Sequence, residues 1–196
     1  WRMGAARAAR ICAAAIAVRG PDPGLAVAPL EALLVATPRE DAALRAWIHE
    51  LLAEATAHGG DAAAAERHLL LGLGALPHDV SLLAAYSDLL LAQHRHEEVA
   101  RILGRDSLSD GLLLRRALAH AVVDPARARS DRAELEARFA TSRAAGRVPH
   151  LREEARFALE IAGDAGTALG LARENWQVQR EPADARLLRE AAARAG

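Results

Sequence analysis

Residues 59–79 read GGDAAAAERHLLLGLGALPHD, and their order decides the fold. Asp61 follows a glycine pair and precedes an alanine-rich run, where a side-chain oxygen can cap the free amides of a helix's first turn. Pro77 closes that helix, because proline lacks an amide hydrogen and its ring clashes with the preceding turn. Upstream, AALRAWIHELLAEATAHGG carries apolar residues at i, i+3, i+4 and i+7, the period of another helix. The two helices around Gly60-Asp61 form a hairpin that runs from Ala46 to Asp79.

The whole chain has the same texture. Of its 196 residues, 52% are hydrophobic and only 3% aromatic, so alanine and leucine supply the apolar surface. No segment sustains the alternation of Val, Ile, Thr, Tyr and Phe that strands prefer, and an all-α fold follows. A formal net charge of -1 from interspersed Arg and Asp/Glu leaves no basic stripe, which argues against nucleic acid. Every cation is arginine. A P-loop lysine, a Schiff-base lysine and a lysine general base are therefore excluded.

The single Cys12 lies in ARICAAAIAV, and its apolar neighbours predict a small packed residue rather than a reactive thiol. The apolar run from Ile11 to Val18 is too short to span a bilayer, and Arg19 interrupts any small-residue cleavage site. It reads as a helix, with no membrane insertion. The first residue is Trp1, which suggests a processed or truncated piece of a longer chain.

The hairpin from Ala46 to Asp79 is about 34 residues long, the period of the tetratricopeptide repeat, and its positions resemble that family's pattern. Leu52 and Ala53 stand at the Leu-Gly pair, Ala65 at the small residue, Leu69 at the Phe, Gly72 at the later small position and Pro77 at the final proline. His49 and Thr56 replace the family's aromatics. One period on, Tyr86-Ser87, Leu90, Val99 and Leu103 continue the register, and HRHEEVARIL resembles the turn and second-helix start. Asp106 to Asp110 then end that helix early. Gly163-Asp164 recurs 103 positions after Gly60-Asp61, close to three periods.

From about Ala46 to Ala193 the order of segments resembles the C-terminal half of exported bacterial tetratricopeptide-repeat proteins of uncharacterised role. The segments are GDAAAAERHLLLGLGALPHD, LLAAYSDLLLAQHRHEEVARIL and REEARFALEIAGDAGTALGLARENWQVQREPADARLL. The resemblance implies export, with a periplasmic location favoured over the cytoplasm, and no known activity. It also implies a right-handed α-solenoid of antiparallel helix hairpins, about ten helices in one domain over 1–196. The expected hairpins are 5–38, 39–79, 80–106, 108–145 and 148–180, with a terminal helix over 183–195. The second helix of the first hairpin is expected from Leu25 to Ala36. Ala53, Ala65 and Gly72 should lie where helix axes approach, with Leu52, Leu69 and Leu73 filling the layer between hairpins.

The polar residues offer little chemistry. His94 and His96 are the closest histidine pair, but i and i+2 diverge on a helix, and neither HExxH nor CxxC occurs, so no metal is expected. Ser81, Ser87, Ser107, Ser109, Ser130 and Ser142 lie in no nucleophile motif. Glu97-Glu98 and Glu153-Glu154 diverge by about 100° as adjacent helical residues and read as solvated faces. Trp176 reads as a core or interface anchor. No catalytic set and no cofactor is expected.

The chain therefore reads as a protein- or peptide-binding scaffold, in which first helices line a concave groove. The register assigns Trp47, Glu50, Glu54, His58, Ser81, Asp88, Leu91, Glu153, Phe157 and Glu160 to it. Trp47 is equally consistent with a structural role. The acidic residues favour a cationic or apolar partner segment. The alternative is a structural spacer or assembly subunit that self-associates through uncapped solenoid ends.

Overall fold

A computed structural model describes the backbone of residues 2–104, 108–146 and 150–196, and within these the side chains from residue 9 onward. Trp1, Ser107 and the segment boundaries at 106 and 148 lie outside the described residues. All regular structure among the described residues is helical, and the chain divides into two compact units, residues 1–89 and 90–196.

The first unit holds α1 (Arg2–Val18), a 3-10 turn (Pro23–Ala26), α2 (Val27–Val35), α3 (Ala42–His58), α4 (Ala62–Ala75) and most of α5 (Val80–Ala92), within which the division falls. Helix α3 packs against α2 and α4. Ile11, Ala14, Ala15 and Val18 of α1 share a core with Leu30 and Leu33 of α2 and with Ile48, Leu51, Leu52 and Ala55 of α3. That i, i+3, i+4, i+7 stripe turns Cys12 outward, so Cys12 is exposed rather than packed. Leu25 falls in the 3-10 turn, not in α2, because Pro23 starts the tighter turn. After α2, the Leu34 carbonyl, which also accepts from the Thr37 amide, and the Thr37 carbonyl take hydrogen bonds from Arg45 Nη1 at 3.0 and 3.1 Å.

Aspartates start the helices by one mechanism. Asp41, Asp61 and Asp79 each accept from the amide three residues on, at 3.2, 2.8 and 3.0 Å. The small residues lie at close helix contacts. Ala53 and Ala65 are buried, and a Cβ on Gly72 would lie 3.0 and 3.1 Å from the Leu82 δ carbons and 3.5 Å from the Ala46 carbonyl. Glycine is thus what lets α4 approach α3 and α5. Tyr86 Oη, also on α5, donates to Glu66 of α4 at 3.2 Å.

The second unit holds α6 (His96–Ile102), α7 (Asp110–Val123), α8 (Pro125–Ala144), α9 (Leu151–Arg156) running into a π turn (Phe157–Ala162), α10 (Ala165–Val178) and α11 (Pro182–Ala195). Ser109, Asp124 and Asp164 cap α7, α8 and α10 as the aspartates do above. Helix α7 packs on α6 and α8, and α10 on α9 and α11. Leu113, Leu114, Ala117, Leu135, Phe139 and Phe157 form one apolar cluster; Ala155, Leu159, Ala168, Ala172 and Leu187 belong to a second.

Buried polar clamps join these helices. Asp131 on α8 takes a fork of two hydrogen bonds from Arg116 on α7, at 2.7 and 3.2 Å, and a third contact from His120 Nδ1 at 2.7 Å. Asp184 on α11 takes the Arg152 fork at 2.6 and 2.9 Å and Asn175 Nδ2 at 2.7 Å. Burial alone would raise the Asp184 pKa, but the hydrogen bonds from Arg152 and the Glu181 amide outweigh it and hold the carboxyl below its usual range.

Two helix ends share a geometry at a spacing of 34. The Asp61 amide donates to Thr56 O and the Gly60 amide to Ala57 O, with Gly60 at φ 84; Arg95 and His94 repeat this to Leu90 O and Leu91 O, with His94 at φ 59. Gly163, at φ 72, sits 103 positions after Gly60, one more than three such periods. The surplus residue coincides with the π turn, whose wider winding takes up an extra residue and closes with the Asp164 amide on Ala158 O at 2.8 Å. The period is irregular in between, since the cap at Asp124 comes 29 residues after Arg95 and 40 before Asp164.

Candidate partner-binding face

Helix α3 buries Ala46, Ile48, His49, Leu51, Leu52, Ala53 and Ala55, which leaves Trp47, Glu50, Glu54 and His58 along the remaining stripe. Trp47 is 40% exposed, Glu50 and Glu54 are half-buried, and His58 is exposed at the helix end. Ser81, one 34-residue period after Trp47, starts α5 and donates its hydroxyl to Glu50 Oε1. The contact joins α3 to α5.

Glu50 is the electrostatic centre of this group. Burial pushes its carboxyl above the usual range, the Ser81 hydrogen bond pulls it back, Asp79 and Glu54 push it further up, and Arg19 opposes them. Asp79 and Arg19 are therefore neighbours that the repeat register did not assign. Arg19, which follows α1, brings to this surface an arginine that the assigned residues lack. Asp88 lies two turns beyond Ser81 on α5 and is half-buried.

The other assigned residues belong to the second unit. Leu91 and Glu153 are half-buried, Glu153 with its carboxylate beside Gly111. Glu160 is exposed and pairs with Arg156 at 2.9 Å. Phe157 is buried, edge-on to Phe139 with ring centroids 5.6 Å apart, so its ring serves the core of that unit.

Behind Trp47, on the α4 side of α3, His49 Nδ1 lies 3.2 Å from His68 Nδ1, so at neutral pH one ring donates and the other accepts. Burial lowers the His49 pKa to about 4, with the His68 and Arg45 charges adding to the effect, and burial lowers His68 as well. Sequence periodicity carries no sign of this pair, because the partners are 19 residues apart on different helices.

His94 and His96 stand with ring centroids 6.0 Å apart, His94 in the left-handed turn after α5 and His96 in the first turn of α6. Among the described residues no group of three or more His, Cys, Asp or Glu side chains is arranged around a common point. Trp176 is half-buried under the Arg180 guanidinium, 5.9 Å from the ring centroid. Glu153-Glu154 departs from the solvated-face expectation: Glu154 is 3% exposed and takes a 2.8 Å hydrogen bond from Arg143. Among the described residues no helix is long and apolar enough to cross a membrane. The chain matches no family model, no curated protein and no solved structure.

Proposed function

We propose that this chain is a tetratricopeptide-like scaffold, a right-handed α-solenoid of antiparallel hairpins that holds a protein or peptide segment on the face of its first helices. The observation that carries the reading is the Glu50–Ser81 hydrogen bond beside the exposed indole of Trp47. It couples α3 to α5, and its donor Ser81 lies one 34-residue period after Trp47. The matched helix ends at Gly60 and His94 support the same period.

The chemistry of the face favours a segment with a cation flanked by apolar residues. Trp47 offers a large rigid surface with one N–H donor, the kind of side chain that anchors interfaces. Around it Glu50, Glu54 and Asp79 outnumber Arg19, and such partly exposed carboxylates tune specificity and association rate more than affinity.

Selection of random peptides displayed against the full chain tests this. The expected winners carry Arg or Lys beside Leu, Phe or Trp, and lose binding to a Trp47→Ala variant whose melting temperature is unchanged. Winners indifferent to Trp47→Ala and to Glu50→Arg would place recognition elsewhere. Loss of binding only on altering α1 or α11 would favour a spacer that assembles through its ends.

A further inference from the structure

The geometry points to a binding pocket in the second unit for a small alkylammonium group, with the Glu154 carboxylate as its acceptor and Phe139, Phe157 and Leu171 as its apolar walls. The pocket has a volume of about 220 Å³, formed where α8, α9, the π turn and α10 meet. That is below the roughly 300–1,000 Å³ of sites for drug-sized ligands, so it suits a head group on a short stem.

Glu154 is the reason to expect a charged occupant. Its side chain is almost fully buried, yet only Oε2 is engaged, by Arg143 at 2.8 Å; Oε1 is buried and accepts no hydrogen bond from a described residue. A buried carboxylate oxygen without a donor is costly, and a ligand N–H removes that cost. Arg143, itself part of the pocket lining and 59% exposed, engages Oε2 and leaves Oε1 without a donor.

The surroundings select the sign of the charge. Glu136, Glu154 and Asp164 line the pocket against the single guanidinium of Arg143. Asp164 is held ionised by the Thr167 amide and hydroxyl, which donate to it at 2.9 and 2.7 Å. An anion meets net repulsion there, and a neutral alcohol gains no charge-assisted bond. The apolar walls then take the stem, with Ala158 and Ala162 leaving room for it. Phe157, Ala158 and Ala162 all come from the π turn, so the extra residue in that turn shapes the wall.

Calorimetric titration of the full chain with n-pentylammonium, n-pentanol and n-pentanoate separates charge from hydrophobic filling. Ammonium is expected to bind at one site, about tenfold or more tighter than the other two. Glu154→Gln is expected to weaken it by at least about tenfold. Because Glu154→Gln also disturbs Arg143, Ala162→Leu serves as a second variant: it fills the pocket from an exposed rim position and is expected to abolish binding with an unchanged melting curve. The chemical shifts of the Phe139 and Phe157 rings should move on titration and stay still in Ala162→Leu. Equal affinity for pentanol, retention of binding in both variants, or no binding up to about 10 mM overturns the proposal.

Discussion

Acidification should destabilise the first unit through His49. In the folded chain its pKa is about 4, against 6.5 for an ordinary histidine, because the neutral ring is buried against His68. Between those values the unfolded chain binds a proton that the folded chain refuses, so stability rises with pH across the window. The contribution is complete above about pH 6.5 and is lost as pH falls toward 4. The gap is worth about 3 kcal/mol in full and about 2 kcal/mol between pH 7.5 and 5. His68, lowered as well, acts in the same sense. Glu50 acts in the opposite sense, since its raised carboxyl pKa makes the folded chain bind its proton first. Asp184 contributes only nearer pH 4 and below, its folded pKa lying under 3.8. Urea melts at pH 7.5, 6 and 5 on the wild type and on His49→Leu isolate the term. The wild type should lose about 2 kcal/mol over that range, and the variant should lose most of its pH slope. Equal slopes in the two proteins would refute the buried-pair argument.

Three further outcomes follow from packing and exposure. Gly72→Leu should destabilise by about 1–3 kcal/mol through collision with Leu82 and the Ala46 carbonyl, whereas Gly74→Ala, with open space around it, should be neutral or stabilising in the same denaturant melts. Arg152→Met leaves Asp184 buried without its fork and should cost about 2–4 kcal/mol; Asp184→Asn, which keeps an acceptor for Arg152, should cost less, and calorimetric melting temperatures rank the two. Cys12 is exposed and should react with an aromatic disulfide reagent in the native chain at a rate close to that in denaturant, read as thiolate release.

The helices were legible because local rules governed them. An aspartate before an alanine-rich run caps a helix by its own side chain, as at Asp61 and Asp164, and no distant residue is needed. Gly72 was legible for a related reason: a small residue at the repeat's position is required wherever two backbones approach. What escaped was long-range or a matter of one residue. Glu154 reads as half of an exposed acidic pair until Arg143, eleven residues before it, is seen to take one of its oxygens. The π turn hides in a segment whose apolar period looks regular, and only the spacing of 103 in place of 102 hints at it. Cys12 misled because it stands among small and apolar residues, with Ile11 before it and Ala13 to Ala15 after it, so composition could not tell the buried stripe from the exposed one. At the candidate face, periodicity assigned Trp47, Glu50, Glu54 and Ser81, while Arg19 and Asp79, which act on Glu50, come from connections that the repeat register does not describe.

The central claim is that first-helix residues one period apart share one recognition surface. Its most direct measurement is the affinity of a display-selected cationic peptide for the wild type and for a Glu50→Arg, Asp88→Arg double variant, at low and at moderate salt. The account predicts an unchanged helix content, a somewhat lower melting temperature from loss of the Ser81 contact, and a loss of affinity of about three- to thirtyfold at low salt that shrinks as salt is added, as expected for partly exposed charges. Unchanged affinity at low salt, with both proteins equally folded, would contradict it.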